Sequence, residues 1–143
     1  MFNEKNWGFT LVELLAVIVI IGFISVITIP SISNTIVESE KATFESQARG
    51  IVRSAKYEFK RIEMIGDIPP EITFQFTNGV ETSNVADAKL EYDGEKVKNG
   101  IVKINDDGEV AFAIYNEQWC ATKKYNLNDI VIKAFTTKAN CKI

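Results

Sequence analysis

Apolar residues along this 143-residue chain form one dense run, then one helical stripe, then a series of alternations. Residues 9 to 29 read FTLVELLAVIVIIGFISVITI, with Glu13 as the single charge. Roughly 20 such residues at about 1.5 Å each cover the ~30 Å hydrocarbon core of a bilayer, so the run predicts one membrane-spanning helix. Past Pro30 the chain turns polar, but its period stays helical. Val37, Phe44, Ala48, Ile51, Ala55, Phe59 and Ile62 recur at three-, four- and seven-residue steps and trace one apolar stripe. Glu45 and Arg49 stand at a favourable i,i+4 spacing. Gly66-Asp67-Ile68-Pro69-Pro70 is a firm stop. One nearly continuous helix is therefore expected from about residue 9 to about residue 65.

From about residue 72 the period drops to 2, the repeat of a strand with one buried face. Ile72, Phe74 and Phe76 alternate with Thr73, Gln75 and Thr77, and Val102 and Ile104 alternate with Lys103 and Asn105. Residues 109–115 and 130–135 continue the theme. Asn78-Gly79, Asp93-Gly94, Asn99-Gly100 and Asp107-Gly108 are hairpin signals. Residues 78–89 read as a loop or irregular connector. The fold class that follows is α+β, with a long N-terminal helix and a small C-terminal antiparallel sheet covering the stripe on the helix's second half. The length leaves room for one globular head.

Composition narrows the chemistry. The chain has no histidine, which removes the most versatile acid-base group near neutral pH. No glycine-rich phosphate loop and no G-x-S-x-G occurs. An enzyme is the weakest reading, and neither a cofactor nor a metal is implied. Asp106, Asp107 and Glu109 are more economically a turn than a calcium loop, which needs more oxygen ligands at set spacings. Residues 31–88 hold six Lys/Arg and nine Asp/Glu, residues 89–143 nine and eight, so neither half is basic enough to argue for nucleic acid. Cys120 and Cys141 are the two cysteines. In an exported head they read as a disulfide closing a loop of about 20 residues, and otherwise as two buried thiols.

The order of parts at the N-terminus excludes an ordinary secretory signal. A polar stretch, MFNEKNWG, precedes the apolar run, and the only small-residue junction, Gly8-Phe9, lies before that run rather than after it. Cutting there removes the polar leader and keeps the helix. It also creates an α-amino group at Phe9, which shares a helix face with Glu13. A carboxylate in an apolar span is expensive and usually has a partner.

Gly8-Phe9-Thr10-Leu11-Val12-Glu13-Leu14 closely resembles the prepilin signature of type IV pilins and their pseudopilin relatives. The resemblance covers residues 8 to 30. It implies that a membrane aspartyl peptidase cuts after Gly8 and N-methylates Phe9, and that Glu13 docks onto the amine of a neighbouring subunit. Gly22 and Pro30 fall where many pilins loosen the helix. The leader departs from the usual basic pattern, since Lys5 is offset by Glu4. The implied organisation is a leader at 1–8, a transmembrane and filament-core helix at 9–30, an amphipathic helix at 31–66 and a β-rich head at 67–143. The implied partners are copies of itself and other pilins, the prepilin peptidase, a membrane assembly platform, and the lipid bilayer before assembly. The head would lie outside the cytoplasmic membrane and later on a surface or periplasm-spanning filament. Many pilins also staple their C-terminal region with a disulfide.

The leading expectation is thus a structural filament subunit. The alternatives are a minor pilin or pseudopilin with a binding role in DNA uptake, adhesion or type II secretion, and an uncut bitopic protein. For a binding role the candidate patch is Trp119, Lys123, Lys124 and Tyr125, which as a basic-aromatic set can contact phosphates and stack bases. The same set also reads as a solvated strand edge.

Overall fold

A computed structural model describes residues 8–66 and 68–143, with the side chains of residues 27–31 outside the description. Most of the expected leader, including Glu4 and Lys5, lies outside the described residues, as do Asp67 and the ring of Pro30. The chain divides into two compact units, Met1–Ser39 and Glu40–Ile143. Helix α1, Leu11–Ile65, contributes to both.

In the first unit the helix start is written into the sequence. The Thr10 hydroxyl accepts the Glu13 backbone N–H at 3.2 Å, and the Glu13 carboxylate accepts the Thr10 backbone N–H at 2.9 Å. This is a capping box, in which two otherwise unpartnered donors are satisfied reciprocally. Leu, Ala, Val and Ile then carry the helix, and its range includes both Gly22 and Pro30. The apolar side chains of this unit are exposed: Phe9 is 86% accessible, Leu14 62% and Ile18 57%. Among the described residues no helix is long and apolar enough to cross a membrane. The stretch described with side chains stops at Val26, inside the span expected from the sequence.

In the second unit the stripe finds its cover. Phe44, Ala48, Ile51, Ala55, Phe59 and Ile62 are buried, whereas Val37, in the first unit, is half exposed. The helix stops at Ile65. Gly66 follows at φ 140° and donates its N–H to the Ile62 carbonyl. Six strands come after it: β1 Glu71–Thr77, β2 Val80–Ser83, β3 Asn99–Asn105, β4 Val110–Tyr115, β5 Trp119–Lys123 and β6 Val131–Ala134. They form one antiparallel sheet in the order β2-β1-β3-β4-β5-β6, so β2 and β6 are its edges. Alternation turns Ile72, Phe74, Phe76, Val102, Ile104, Val110, Phe112, Ile114 and Ala121 into one core with the helical stripe. The result is the α+β arrangement expected from the switch of period.

Two strands depart from the expectation. Residues 78–89 read as a loop or irregular connector, yet β2 occupies 80–83. Its four residues, VETS, hold too little apolar matter to show a period, and the Asn78-Gly79 turn is what folds them back onto β1. Both turn residues have positive φ, 52° and 81°, as a two-residue hairpin requires. Asp107-Gly108 likewise turns β3 into β4. Asn99-Gly100 is not a turn. It lies inside β3, where Gly100 pairs with Ile114 at φ 149° and a Cβ would meet the Ala113 carbonyl oxygen at 2.5 Å. Asp93-Gly94 sits in the 84–98 connection between β2 and β3. Strand β5, expected only as a solvated strand edge around Trp119 and Lys123, is an inner strand between β4 and β6.

Candidate functional site

At the N-terminus, Gly8 and Phe9 precede the helix and are exposed. A Cβ added at Gly8 would meet nothing within 4 Å. The Glu13 carboxylate accepts both the backbone N–H and, at 2.8 Å, the hydroxyl of Thr10. Glu13 thus caps its own helix. The sequence reading assigned it no such partner, although the Thr-x-x-Glu spacing before an apolar run carries that information.

In the second unit, alternation along β5 decides what the basic-aromatic set can do. Trp119, Ala121 and Lys123 face the helix side, where Trp119 packs against the core. Lys123 is buried, and its amine donates to the Val110 carbonyl at 2.7 Å and to the Lys124 carbonyl at 3.3 Å. Burial pulls its pKa down, and Lys56 adds to this while Glu109 opposes it. Among the described residues the buried Trp119 indole N–H has no hydrogen-bond partner. Lys124 is exposed. Tyr125 donates its hydroxyl to Glu71 at 3.2 Å, and Glu71 also accepts the Lys103 amine at 2.8 Å. Burial and the neighbouring Glu71 carboxylate push the Tyr125 phenol up to about 12, while the hydrogen bond from Lys103 holds Glu71 below its usual range. The four residues therefore do not form one exposed face. Lys123 serves a carbonyl inside the head, and Tyr125 bolts the segment after β5 to β1.

Cys120 and Thr122 occupy the opposite face of β5. Cys120 is bonded to Cys141, which fastens the C-terminal tail to that face. Ala113, Ile101, Tyr115 and Phe135 pack around the disulfide, and the Tyr115 and Phe135 rings stack at 4.8 Å.

The 84–98 connection is held by ties that the sequence did not announce. The buried Glu58 pairs with Arg61 at 2.6 Å and accepts the Lys89 backbone N–H at 3.2 Å. The bond from Arg61 holds Glu58 below its ordinary carboxylate range. Arg61 also donates to the Asp87 carbonyl, Gln47 donates to the Glu95 carbonyl, and Glu81 accepts the Leu90 N–H. A cleft of about 700 Å³ opens between β2 and this connection, lined by residues that include Phe76, Glu81, Leu90 and Tyr92. Among the described residues no group of three or more His, Cys, Asp or Glu gathers to hold a metal ion. Asp106 and Asp107 occupy the β3–β4 turn.

Comparison with known proteins adds one relative. The chain is 32% identical over 73 residues to the type IV major pilin protein PilA of Myxococcus xanthus (strain DK1622). The match takes in 51% of this chain and 33% of that protein, so it spans about a third of the relative's length. No family model and no solved structure matches. The likeness supports a type IV pilin-like family.

Proposed function

We propose that this type IV pilin-like chain is a prepilin, a structural subunit cleaved after Gly8 and assembled through its N-terminal helix. What supports the reading is the first unit. Its apolar side chains from Phe9 to Val26 are exposed, next to a prepilin-like junction and a single carboxylate. Apolar surface on this scale is stable only against lipid or protein. In the proposed sequence the helix sits first in the cytoplasmic membrane with the head outside, then in the core of a surface filament. Phe9 becomes the N-methylated end, and Glu13 exchanges its Thr10 partners for the amine of another copy.

Intact mass and N-terminal sequencing of the protein from its native membrane test the processing. A chain starting at N-methyl-Phe9 is expected, and Gly8→Glu should retain the leader. A chain starting at Met1 beside an active peptidase would make it an uncut membrane anchor. The role of Glu13 is separable from its cap. Gln also serves in a capping box, so Glu13→Gln keeps the helix start while losing the charge. Normal membrane insertion with lost filaments is expected. Filaments at wild-type yield would remove the docking role.

A further inference from the structure

The two open edges of the head's sheet carry charge of opposite net sign. Residues 119–143 hold five lysines and one acid, Asp129, in a chain of net charge −3. Lys124, Lys133, Lys138 and Lys142 are exposed, and none of them is in an ion pair among the described residues. Lys133 lies in β6 directly opposite Cys120. Cys120 holds Cys141 through the disulfide, which ties the residue before Lys142 to β5, the strand next to that edge. Charge on an edge strand often only guards it against unwanted pairing. One lysine inside the strand would serve that purpose, whereas Lys124, Lys138 and Lys142 lie outside the strand.

The other edge has the opposite character. From Glu81 to the end of the 84–98 connection there are five acids and three lysines, Lys89, Lys96 and Lys98, the last paired with Glu117. Asp87, Glu91, Asp93 and Glu95 are exposed, and none of their carboxylates is in an ion pair among the described residues. Glu81, Glu91 and Asp93 line the 700 Å³ cleft, together with Lys89 and Lys96. Each edge also offers an exposed valine, Val131 on β6 and Val80 on β2.

We infer that the β6 edge and the tethered tail of one head dock onto the acidic 84–95 segment beside β2 of a second copy. The two surfaces sit at opposite ends of one sheet. Their contact is therefore heterologous and propagates from copy to copy instead of closing into a dimer. Complementary charge would set register and rate of approach more than raw affinity. A nucleic acid fits less well, because Trp119 faces the core and Tyr125 is bolted to Glu71, which takes the two aromatics of the basic-aromatic set away from stacking. The inference rests on the filament reading and names a head-to-head contact within it.

Filament yield from cells expressing the full chain tests it, with N-terminal sequencing and head melting as controls. Lys133→Glu/Lys138→Glu and Glu91→Lys/Asp93→Lys should each lower yield roughly tenfold, since like charges brought face to face are costly. The four-fold variant that carries both exchanges should recover most of the wild-type yield. Failure of the combined variant to recover, with wild-type filaments plentiful, overturns the contact and leaves the filament reading intact. Loss that follows the lysines alone overturns it in favour of a polyanion partner. No filaments from processed wild-type protein overturns both.

Discussion

The same residue types meet opposite fates in the two units. In the first, Ile18, Ile20 and Phe23 are more than half accessible. In the second, Ile51, Ile72 and Phe112 are wholly buried. The second unit supplies its own cover, because six strands place an apolar face against the Phe44–Ile62 stripe. Among its described residues the first has one helix and one capping box, with nothing else to pack against. The contrast teaches that the larger unit, Glu40–Ile143, is folded by its own contacts, while the described apolar side chains of the smaller one are left uncovered by theirs.

The sharpest way to break that contrast is one truncation made in each unit. Phe112→Ala removes a fully buried ring from the sheet and should cost about 3–5 kcal/mol. For a head of about 100 residues this lowers the melting temperature by roughly 15 °C or more. Ile18→Ala removes exposed atoms and should leave the head's melting unchanged, while filament yield falls. Near-UV circular dichroism of the full chain in detergent micelles checks the first effect, and electron microscopy of sheared filaments the second. If Ile18→Ala unfolded the head, the independence of the two units would be wrong.

Glycine gives a second pair. Gly100→Ala would drive a methyl into the Ala113 carbonyl oxygen and the Ile114 Cα, at 2.5 and 2.7 Å, from a φ of 149° that favours glycine. Backbone atoms on a paired strand do not move aside cheaply, so a loss of about 2–3 kcal/mol is expected from the head's thermal melt. Gly22→Ala meets nothing within 4 Å and sits in a helix, where alanine is favoured by roughly 0.5–1 kcal/mol. It should leave the head's melting where it is. Equal effects from the two alanines would show that Gly100 does not press against β4 as described.

How much of this was legible follows the same division. The helix and its stop could be read from periodicity and from Gly66-Asp67-Ile68-Pro69-Pro70, because local pattern alone specifies them. Strands β1, β3, β4 and β6 were visible in the alternation. Strand β5 was visible only as a solvated edge, because its inward positions read Trp119, Ala121, Lys123, and a lysine at an inward site erases the apolar period of an inner strand. The same inversion misled the reading of the binding patch, since Lys123 looks exposed in any local window. The hold of Glu58 on Lys89 spans 31 residues and leaves no mark in either neighbourhood. The Thr10–Glu13 cap is legible by spacing alone, but a carboxylate in an apolar run draws attention to its charge before its capping distance.

The head also differs from the first unit in what ties its helix to its loops, and acid should expose this at smaller scale. Glu58, buried under the 84–98 connection, has its carboxyl held low by the hydrogen bond from Arg61. A carboxylate whose folded pKa lies below its unfolded value stabilises the fold above that unfolded value, about 4.3, and the contribution is lost as pH falls through the folded one. Glu71, held low by Lys103, acts in the same direction, whereas Glu81, raised by burial, is relieved by acid and opposes them. The head's melting temperature should therefore decline as pH drops below about 4.5. Glu58→Gln should cost about 1–2 kcal/mol near neutral pH and flatten that decline, because the variant has one depressed carboxylate fewer to protonate. Glu45→Gln removes an exposed i,i+4 pair on the same helix and should change neither. A decline of unchanged steepness in Glu58→Gln would mean that the acid response comes from elsewhere, with Glu71 and its bond to Lys103 the next carboxylate to test.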